Sequence, residues 1–291
     1  METERIIFPT FSGILEPNLE SKSFPDGESY VRIPHIESLA GKRALLFHRM
    51  YPNQDTAIFQ LLLALEEITK KTEHTTAFVP YLPYARQDKI VVEGEVKSAH
   101  VLCKMLRHAG LERLVTLDCH FLKKTGEFEC EGLRITNLTG ADHMVKYFQS
   151  KYGELEVISP DKGAKYLVEG HGGASMTKVR GDYVTSEKKI YRPVETLKLD
   201  IDIKGKNVLV LDDMIAGGGT MVKAVELCRA EGAKNVFCGA THGLLLADAG
   251  MRLQEAGAKE VATTNSIPTE YSKISVMEIF EGVFQNRLAT E

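Results

Sequence analysis

One stretch of the 291-residue chain, Val208-Leu-Val-Leu-Asp-Asp-Met-Ile-Ala-Gly-Gly-Gly-Thr220, constrains its fold more than any other. The four apolar residues at its start are typical of a strand that is buried on both faces of a parallel sheet. Two carboxylates, Asp212 and Asp213, stand where this strand is expected to end. Glycines then lead to Thr220, which begins a helical pattern that closes at Gly232. A buried strand joined so closely to a helix predicts a parallel α/β fold.

The glycine segment also indicates a chemistry. Glycines between a strand and a helix let backbone N–H groups surround an anion, and the helix N-terminus adds its partial positive charge. A phosphate held there would leave the acidic pair facing the group that carries the phosphate. Because carboxylates accept several hydrogen bonds, the vicinal hydroxyls of a sugar are the natural partner. The alternative is a tight strand-to-helix turn with solvated aspartates.

A repeated spacing predicts two similar domains. A helix start, a helix-ending glycine and a histidine after the next strand recur in both halves, at the same intervals of twelve and ten residues. They are Ser98, Gly110 and His120, and then Thr220, Gly232 and His242. The duplication predicts two tandem α/β domains, each with a mainly parallel central sheet flanked by helices. We expect domains of residues 1–139 and 140–291, with the last residues packing back onto the first domain.

Composition narrows the class of protein. A net charge of −4 gives no general reason to expect nucleic acid or an anionic membrane as partner. No apolar run approaches the ~20 residues that span a bilayer. The five cysteines form no Cys-x-x-Cys pair, so we expect core residues in a reducing compartment. The charged start of the chain is unlike a secretory leader, and we expect a cytoplasmic protein.

The remaining apolar patterns predict further elements. Strands are expected at residues 5–8, 44–47, 75–79, 114–117, 155–159, 236–240, 260–264 and 275–280. Helices are expected at residues 55–70, from a cap at Ser98 to Gly110, at 142–152 and at 164–169. A Pro-Asp-Gly turn at residues 25–27 leads into an alternating strand.

Polar residues collect where the predicted strands end, which is the edge at which open parallel sheets bind ligands. They are Arg86, Gln87, Asp88, Asp118, His120, Asp161, Asp212 and Asp213. Asp118 and His120 alternate, so they could hold a divalent ion directly or through water, and Mg²⁺ favours few protein ligands and several waters. For His120 the alternative is a strand-end histidine that the backbone satisfies.

Three cations suit phosphate chemistry. Lys178 and Arg180 are two residues apart, which puts both charges on one side of an extended segment. Fixed cations aimed at one region stabilise transferring phosphoryl oxygens. The planar guanidinium of Arg86 suits stacking on a base and pairing with phosphate.

These motifs, in this order, resemble ribose-phosphate diphosphokinases, also called phosphoribosyl pyrophosphate synthetases, and their archaeal-type members in particular. The resemblance covers about residues 22 to 280. It rests on Phe24-Pro-Asp-Gly-Glu28, Pro83-Tyr-Ala-Arg-Gln-Asp-Lys89, Glu93-Gly-Glu95, Asp118-Cys-His120, Ser159-Pro-Asp-Lys-Gly-Ala164, Lys178-Val-Arg180 and the stretch from Leu211 to Thr220.

The resemblance implies two phosphoribosyltransferase-like domains and a transfer of the diphosphoryl group of ATP to the anomeric hydroxyl of ribose 5-phosphate. The products would be phosphoribosyl diphosphate and AMP, with Mg²⁺ as cofactor. It also implies a homo-oligomer, a dimer or a multiple of dimers.

The resemblance further implies a role for each motif. The catalytic cations would be Lys178 and Arg180. ATP would be bound by Asp26, Gly27, Glu28, Arg86 and Gln87, the first three often across a subunit interface. His120 and Asp161 would be metal-associated. Ribose 5-phosphate would be bound by Arg180, Asp212, Asp213, Ala216, Gly217, Gly218, Gly219 and Thr220.

One departure concerns the sugar-phosphate loop. Family members usually carry Asp-Thr or Ser-Thr where this chain has Ala216-Gly217, so side-chain contacts to the 5-phosphate are missing. We expect a Michaelis constant for ribose 5-phosphate raised by about ten-fold per lost contact.

Two alternative functions are a phosphoribosyltransferase and a non-catalytic homologue. A phosphoribosyltransferase would have no task for the first-half motifs, and retention of Lys178 and Arg180 argues against a non-catalytic protein.

Overall fold

The computed structural model describes residues 1–179, 185–186, 189–190 and 196–288. The chain divides into two compact units. The first unit contains Met1–Thr139 together with the chain from Val276 onward, and the second contains Gly140–Ser275. Among the described residues, each unit is built on one six-stranded sheet.

The elements of residues 1–139 are β1 (Thr3–Ile7), β2 (Glu20–Ser23), β3 (Ser29–Arg32), β4 (Arg43–Phe47), α1 (Gln54–Ile68), β5 (Thr75–Phe78), α2 (Ser98–His108), β6 (Arg113–Leu117), β7 (Gly126–Cys130) and β8 (Leu133–Leu138). From residue 140 they are α3 (Ala141–Tyr152), β9 (Glu156–Ser159), β10 (Ala174–Ser175), β11 (Thr177–Val179), β12 (Thr185–Ser186), β13 (Lys189–Ile190), β14 (Thr196–Lys198), β15 (Asn207–Ile215), α4 (Gly219–Ala230), β16 (Asn235–Gly243), α5 (Ala249–Glu255), β17 (Ala258–Thr264), β18 (Ser272–Ile274) and α6 (Val276–Leu288).

The two sheets share a central arrangement. The first has the strand order β1-β4-β5-β6-β8-β7, parallel except for β7. The second has the order β10-β9-β15-β16-β17-β18 and is parallel throughout. In each unit, the second of four central parallel strands leads into a helix, α2 after β5 and α4 after β15. The predicted duplicated α/β fold is confirmed.

The predicted strand at residues 275–280 is wrong, because this segment begins helix α6. Its buried residues Val276, Ile279 and Phe280 recur at intervals of three and four, which places them on one helical face. The Phe280 ring lies 5.5 Å from that of Phe47 and 4.5 Å from that of Phe78, in the core of the first unit. A short apolar run does not distinguish strand from helix by itself, and packing against these aromatic rings decides it here.

Three other boundaries differ from expectation. Strand β15 continues past the acidic pair to Ile215, because β16 extends equally far and pairs Ile215 with Gly243. Ser98 is the first helical residue of α2 and does not cap the helix by its side chain. The expected helix at 164–169 is a 3₁₀ turn over Lys162–Leu167.

The cores are apolar, and all five cysteines are free and buried in them, as predicted. The central strands of the second unit are buried along most of their length, β16 on eight of its nine residues. Within the described ranges, no helix is both long and apolar enough to cross a bilayer.

Candidate functional site

A glycine loop joins β15 to α4 in the second unit. Gly218 has a φ of 72°, the left-handed conformation that favours glycine, and the helix begins at the next residue. The first turn of the helix is closed by a hydrogen bond from Val222 N to Gly218 O, at 2.8 Å. The N–H groups preceding Val222 in that turn therefore have no partner within the helix. Such a helix start is suited to bind a phosphate.

The acidic pair lies within β15, and Asp213 is two residues before the end of this strand at Ile215. Asp212 is half-buried, and its Oδ1 accepts a hydrogen bond of 2.8 Å from the backbone N–H of Asp213. Asp213 is only 3% exposed. Because successive side chains of a strand point to opposite faces, the two carboxylates point to different sides of the sheet. Asp212 is the more exposed of the two, and both remain predicted ligands of the sugar.

Asp161 lies at the same edge of the second sheet. It follows β9, which pairs with β15, so both segments leave the sheet at the carboxyl ends of neighbouring strands. Its Oδ1 accepts a hydrogen bond of 2.8 Å from Gly163 N and thereby caps the following turn. Ser159 fixes this turn further, since its hydroxyl lies 2.9 Å from the Asp161 carbonyl oxygen.

The predicted catalytic cations are described in part. The backbone of Lys178 lies in β11, which pairs antiparallel with β14 and sets Lys178 opposite Leu197. Arg180 lies outside the described residues.

In the first unit, Arg86 and Gln87 lie in the long connection between β5 and α2. The Gln87 side-chain oxygen accepts a hydrogen bond of 2.8 Å from the hydroxyl of Ser98. Both backbone groups of Gln87 are hydrogen-bonded. Its N–H donates to Tyr84 O at 2.8 Å, and its carbonyl oxygen accepts from Ala99 N at 3.3 Å. Arg86 is exposed, so its guanidinium is accessible to a ligand on a segment whose backbone is fixed.

His120 follows β6, next to the connection that carries Arg86 in the parallel sheet. A residue that the sequence analysis missed, Asn137, holds the backbone of this segment. Its Oδ1 accepts a hydrogen bond of 2.9 Å from Cys119 N, and its Nδ2 donates one of 2.7 Å to Lys124 O. Asn137 is fully buried. Because β8 also contains Arg134 and Thr136, the sequence alone does not single out Asn137.

The predicted adenine-binding residues, Asp26 to Glu28, form the tip of a separate hairpin of β2 and β3. Phe24 N donates to Glu28 O at 2.7 Å, and Gly27 N donates to Phe24 O at 2.9 Å. Phe24, the first residue of the Phe24–Glu28 motif, is an exposed aromatic ring 5.8 Å from that of Tyr30. The hairpin therefore presents an aromatic surface beside two carboxylates.

The histidine that occupies the repeat position in the second unit has a different environment. His242 is buried, and its Nδ1 lies 2.9 Å from the hydroxyl of Ser266. We interpret it as structural. Among the residues that the structure describes, no group of three or more His, Cys, Asp or Glu side chains is arranged to hold a metal ion.

Two titratable groups outside the site, one in each unit, make the stability of that unit depend on pH. In the first unit, burial lowers the pKa of His48 to about 4. Its Nε2 lies 2.9 Å from Ala57 O and its Nδ1 lies 2.9 Å from the Thr10 hydroxyl. The neutral ring, which donates from Nε2 and accepts at Nδ1, satisfies both contacts.

In the second unit, Glu260 ties strand β17 to helix α3. Its carboxylate accepts hydrogen bonds of 2.6 to 2.7 Å from Tyr147, Lys151 and Tyr152. Burial raises the pKa of Glu260, but these hydrogen bonds together outweigh burial, so the pKa lies below its ordinary value.

The duplicated parallel sheets and the glycine loop define a tandem phosphoribosyltransferase-like α/β protein. The N-terminal domain of ribose phosphate pyrophosphokinase matches residues 12–110, and the phosphoribosyl synthetase-associated domain matches residues 164–281. The chain belongs to the ribose-phosphate pyrophosphokinase family.

Individual relatives agree with this assignment. The ribose-phosphate pyrophosphokinase of Pyrococcus furiosus is 40% identical over 266 residues, which cover 89% of this chain and 90% of the relative. That of Sulfolobus acidocaldarius is 34% identical over 271 residues, covering 91% and 90%. The crystal structure of phosphoribosylpyrophosphate synthetase from Mycobacterium smegmatis has a TM-score of 0.79 at 24% identity and covers 99% of both chains. That last likeness concerns the fold alone.

Proposed function

We propose that this chain is a ribose-phosphate diphosphokinase. It transfers the diphosphoryl group of ATP to the anomeric hydroxyl of ribose 5-phosphate and releases AMP. The observation that carries the proposal is the glycine loop of the second unit, a helix start suited to phosphate, with the half-buried carboxylate of Asp212 four residues before Ala216. Membership of the family supplies the reaction for which such a loop is suited.

The second unit binds the sugar phosphate. The backbone N–H groups of Ala216 to Thr220 hold the 5-phosphate, and Asp212 accepts hydrogen bonds from the ribose hydroxyls. The anomeric oxygen attacks the β-phosphorus in line, and the bond from that phosphorus to the oxygen of the departing AMP breaks. Lys178 and Arg180 stabilise the charge that develops on the phosphoryl oxygens.

The first unit binds the nucleotide. Arg86, exposed on a connection whose backbone is fixed, pairs with phosphate or stacks on the base. Gln87 offers its side-chain amide from the same turn. The hairpin residues Asp26 to Glu28, with the exposed ring of Phe24, suit recognition of the adenine. In a homo-oligomer, this hairpin serves the site of a neighbouring copy.

A divalent metal completes the proposal, and Mg²⁺ fits the donors present. Mg²⁺ typically binds one or two carboxylates together with water and substrate phosphates. In the second unit Asp161 offers such a carboxylate, and in the first unit His120 offers a nitrogen donor that suits contact through water. Such an ion, when bound, neutralises charge on the phosphates of ATP.

The sugar-phosphate loop gives a prediction of its own. A Cβ built at Gly217 meets no atom within 4 Å, so the loop has room for a side chain there. Ala216→Asp combined with Gly217→Thr restores the usual family pair. We expect the Michaelis constant for ribose 5-phosphate to fall by about ten-fold, because the threonine hydroxyl can donate a hydrogen bond to the charged phosphate. An unchanged constant would mean that the phosphate binds elsewhere.

The direct test is incubation of the protein with ATP, Mg²⁺ and ribose 5-phosphate, followed by separation of the nucleotides. We expect AMP that forms only when the sugar is present. Formation of ADP would indicate a simple phosphotransferase. A phosphoribosyltransferase would instead consume phosphoribosyl diphosphate and a base. If no nucleotide product forms, the proposed activity is wrong.

A further inference from the structure

We propose that Arg252 is a positioning residue for the glycine loop between β15 and α4. It holds the Gly217 carbonyl toward α5 and so aims the backbone N–H of Gly218 at the 5-phosphate. The inference rests on the proposed function, because it concerns the same loop. It goes beyond it by assigning a task to a helix, α5, that no sequence motif marks.

The first observation is a series of three carbonyl contacts. Leu245 N donates to Ile215 O at 2.9 Å, and Leu246 N donates to Ala216 O at 3.0 Å. Arg252 continues the series, since its Nη1 donates to Gly217 O at 3.1 Å. Three successive carbonyl groups are thus held by the segment that follows β16.

Peptide geometry converts these contacts into an orientation of donors. In a trans peptide, the carbonyl of one residue and the N–H of the next point in opposite directions. Carbonyls held toward residues 245–252 therefore turn the N–H groups of Ala216, Gly217 and Gly218 to the other side. Successive N–H groups that converge in this way form an anion-binding concavity.

The packing of α5 against the loop is an independent observation. A Cβ built at Gly218 would lie 3.1 Å from the Cβ of Ala249, the first residue of α5. Ala249 and Arg252 are three residues apart, so they share a face of that helix. The side of α5 that touches the loop is therefore the side from which Arg252 reaches it.

The positioning role of Arg252 is important for phosphate binding because of the residues that form the loop. Ala216 and Gly217 offer no polar side chains, so the orientation of backbone donors carries the recognition of the phosphate. The first two carbonyl contacts come from backbone N–H groups, which a substitution does not remove. The third comes from a side chain, which makes it the one that can be tested.

The test compares Arg252→Met, Arg252→Lys and Lys234→Met. Lys234 is exposed just before β16, at the opposite end of that strand from the loop, so its variant removes the same charge as a control. For Arg252→Met we expect the Michaelis constant for ribose 5-phosphate to rise by about ten-fold, with kcat and the constant for ATP unchanged. Arg252→Lys keeps a donor and recovers part of the loss, while Lys234→Met behaves as wild type.

Two further measurements distinguish the Arg252–Gly217 contact, the clamp, from other causes of a raised Michaelis constant. The effect persists in about 1 M KCl if orientation is responsible, and it fades if Arg252 acts only as a distant charge. Calorimetric binding of ribose 5-phosphate tests the clamp even if the wild-type protein forms no AMP, a result that would refute the proposed function instead. Equal affinity of wild type and Arg252→Met, or an equal rise in both Michaelis constants, overturns the inference.

Discussion

The connection that follows the second central strand differs sharply between the two units. In the first unit, residues 79–97 separate β5 from α2, and the exposed Arg86 lies on this long segment. In the second unit, only residues 216–218 separate β15 from α4, and they carry no polar side chain. The same position in a duplicated fold therefore offers side-chain donors in one unit and backbone donors in the other.

The difference teaches how one architecture can serve two ligands. A short glycine turn brings backbone N–H groups close to a compact anion, which suits a phosphate monoester. A long connection carries extended side chains that reach an elongated and partly aromatic ligand, as a nucleotide is. Substitutions in the two connections are therefore expected to affect different substrates.

The largest effect is expected from Lys178→Ala, which tests whether the second unit also supplies the catalytic charge. Turnover should fall by about 10²- to 10³-fold, because a fixed cation no longer stabilises the transferring phosphoryl group. Binding of ATP, measured by calorimetry, should stay close to that of wild type. Lys198→Ala, on the paired strand β14, is the matched control. Unchanged turnover would refute the assignment of Lys178.

A smaller effect is expected from Arg86→Ala in the long connection. The Michaelis constant for ATP should rise by about ten-fold, while that for ribose 5-phosphate stays constant. Lys104→Ala removes one positive charge from the exposed side of α2 and serves as control. Steady-state kinetics with each substrate varied in turn decides the outcome. A rise confined to ribose 5-phosphate would break the division between the two connections.

Gly218→Ala tests whether the short connection affects ribose 5-phosphate rather than ATP. Gly218 and Gly205 have φ values of 72° and 73°, so alanine at either position costs about 1 kcal/mol of backbone strain. Only at Gly218 does the added Cβ press on a neighbour, Ala249. We therefore expect Gly205→Ala to lose about 1 kcal/mol of unfolding free energy and Gly218→Ala to lose somewhat more. A several-fold rise in the Michaelis constant for ribose 5-phosphate should occur for Gly218→Ala alone.

The smallest effect concerns pH and separates the units by stability. The pKa of His48 is about 4 in the folded first unit, below its ordinary value of 6.5, so protonation favours the unfolded state. The stability that the neutral His48 ring contributes is fully present above about pH 6.5 and is lost as the pH drops toward 4. At pH 6 the loss is less than about 1 kcal/mol. The pKa of Glu260 is also lowered, so its contribution to the second unit is fully present above the ordinary value of 4.5 and is lost as the pH falls below it.

Hydrogen exchange measured over this pH range distinguishes the two units. Segments of the first unit should lose protection at a higher pH than those of the second. The variant His48→Gln should remove the dependence between pH 6.5 and 4 from the first unit. Simultaneous loss of protection in both units with the variant and with wild type would contradict the assignment.

Much of the fold follows from local patterns. The buried run at Val208, the glycines after Asp213 and the repeated spacing around Gly110 and Gly232 predicted the sheets and the duplication, because burial and turn geometry are properties of short segments. Segment 275–280 was the failure. Its apolar residues fit a strand or a helix, and only the rings of Phe47 and Phe78 select the helix.

The candidate site shows the same division. The sequence by itself determined which residue types stand at the strand ends, since the period of a strand and the place of a turn are local. Only the tertiary structure decided that Asn137 holds the His120 segment and that Arg252 holds the Gly217 carbonyl. Both residues act from another element of the chain, and a contact between distant segments exists only once the sheets and helices have packed.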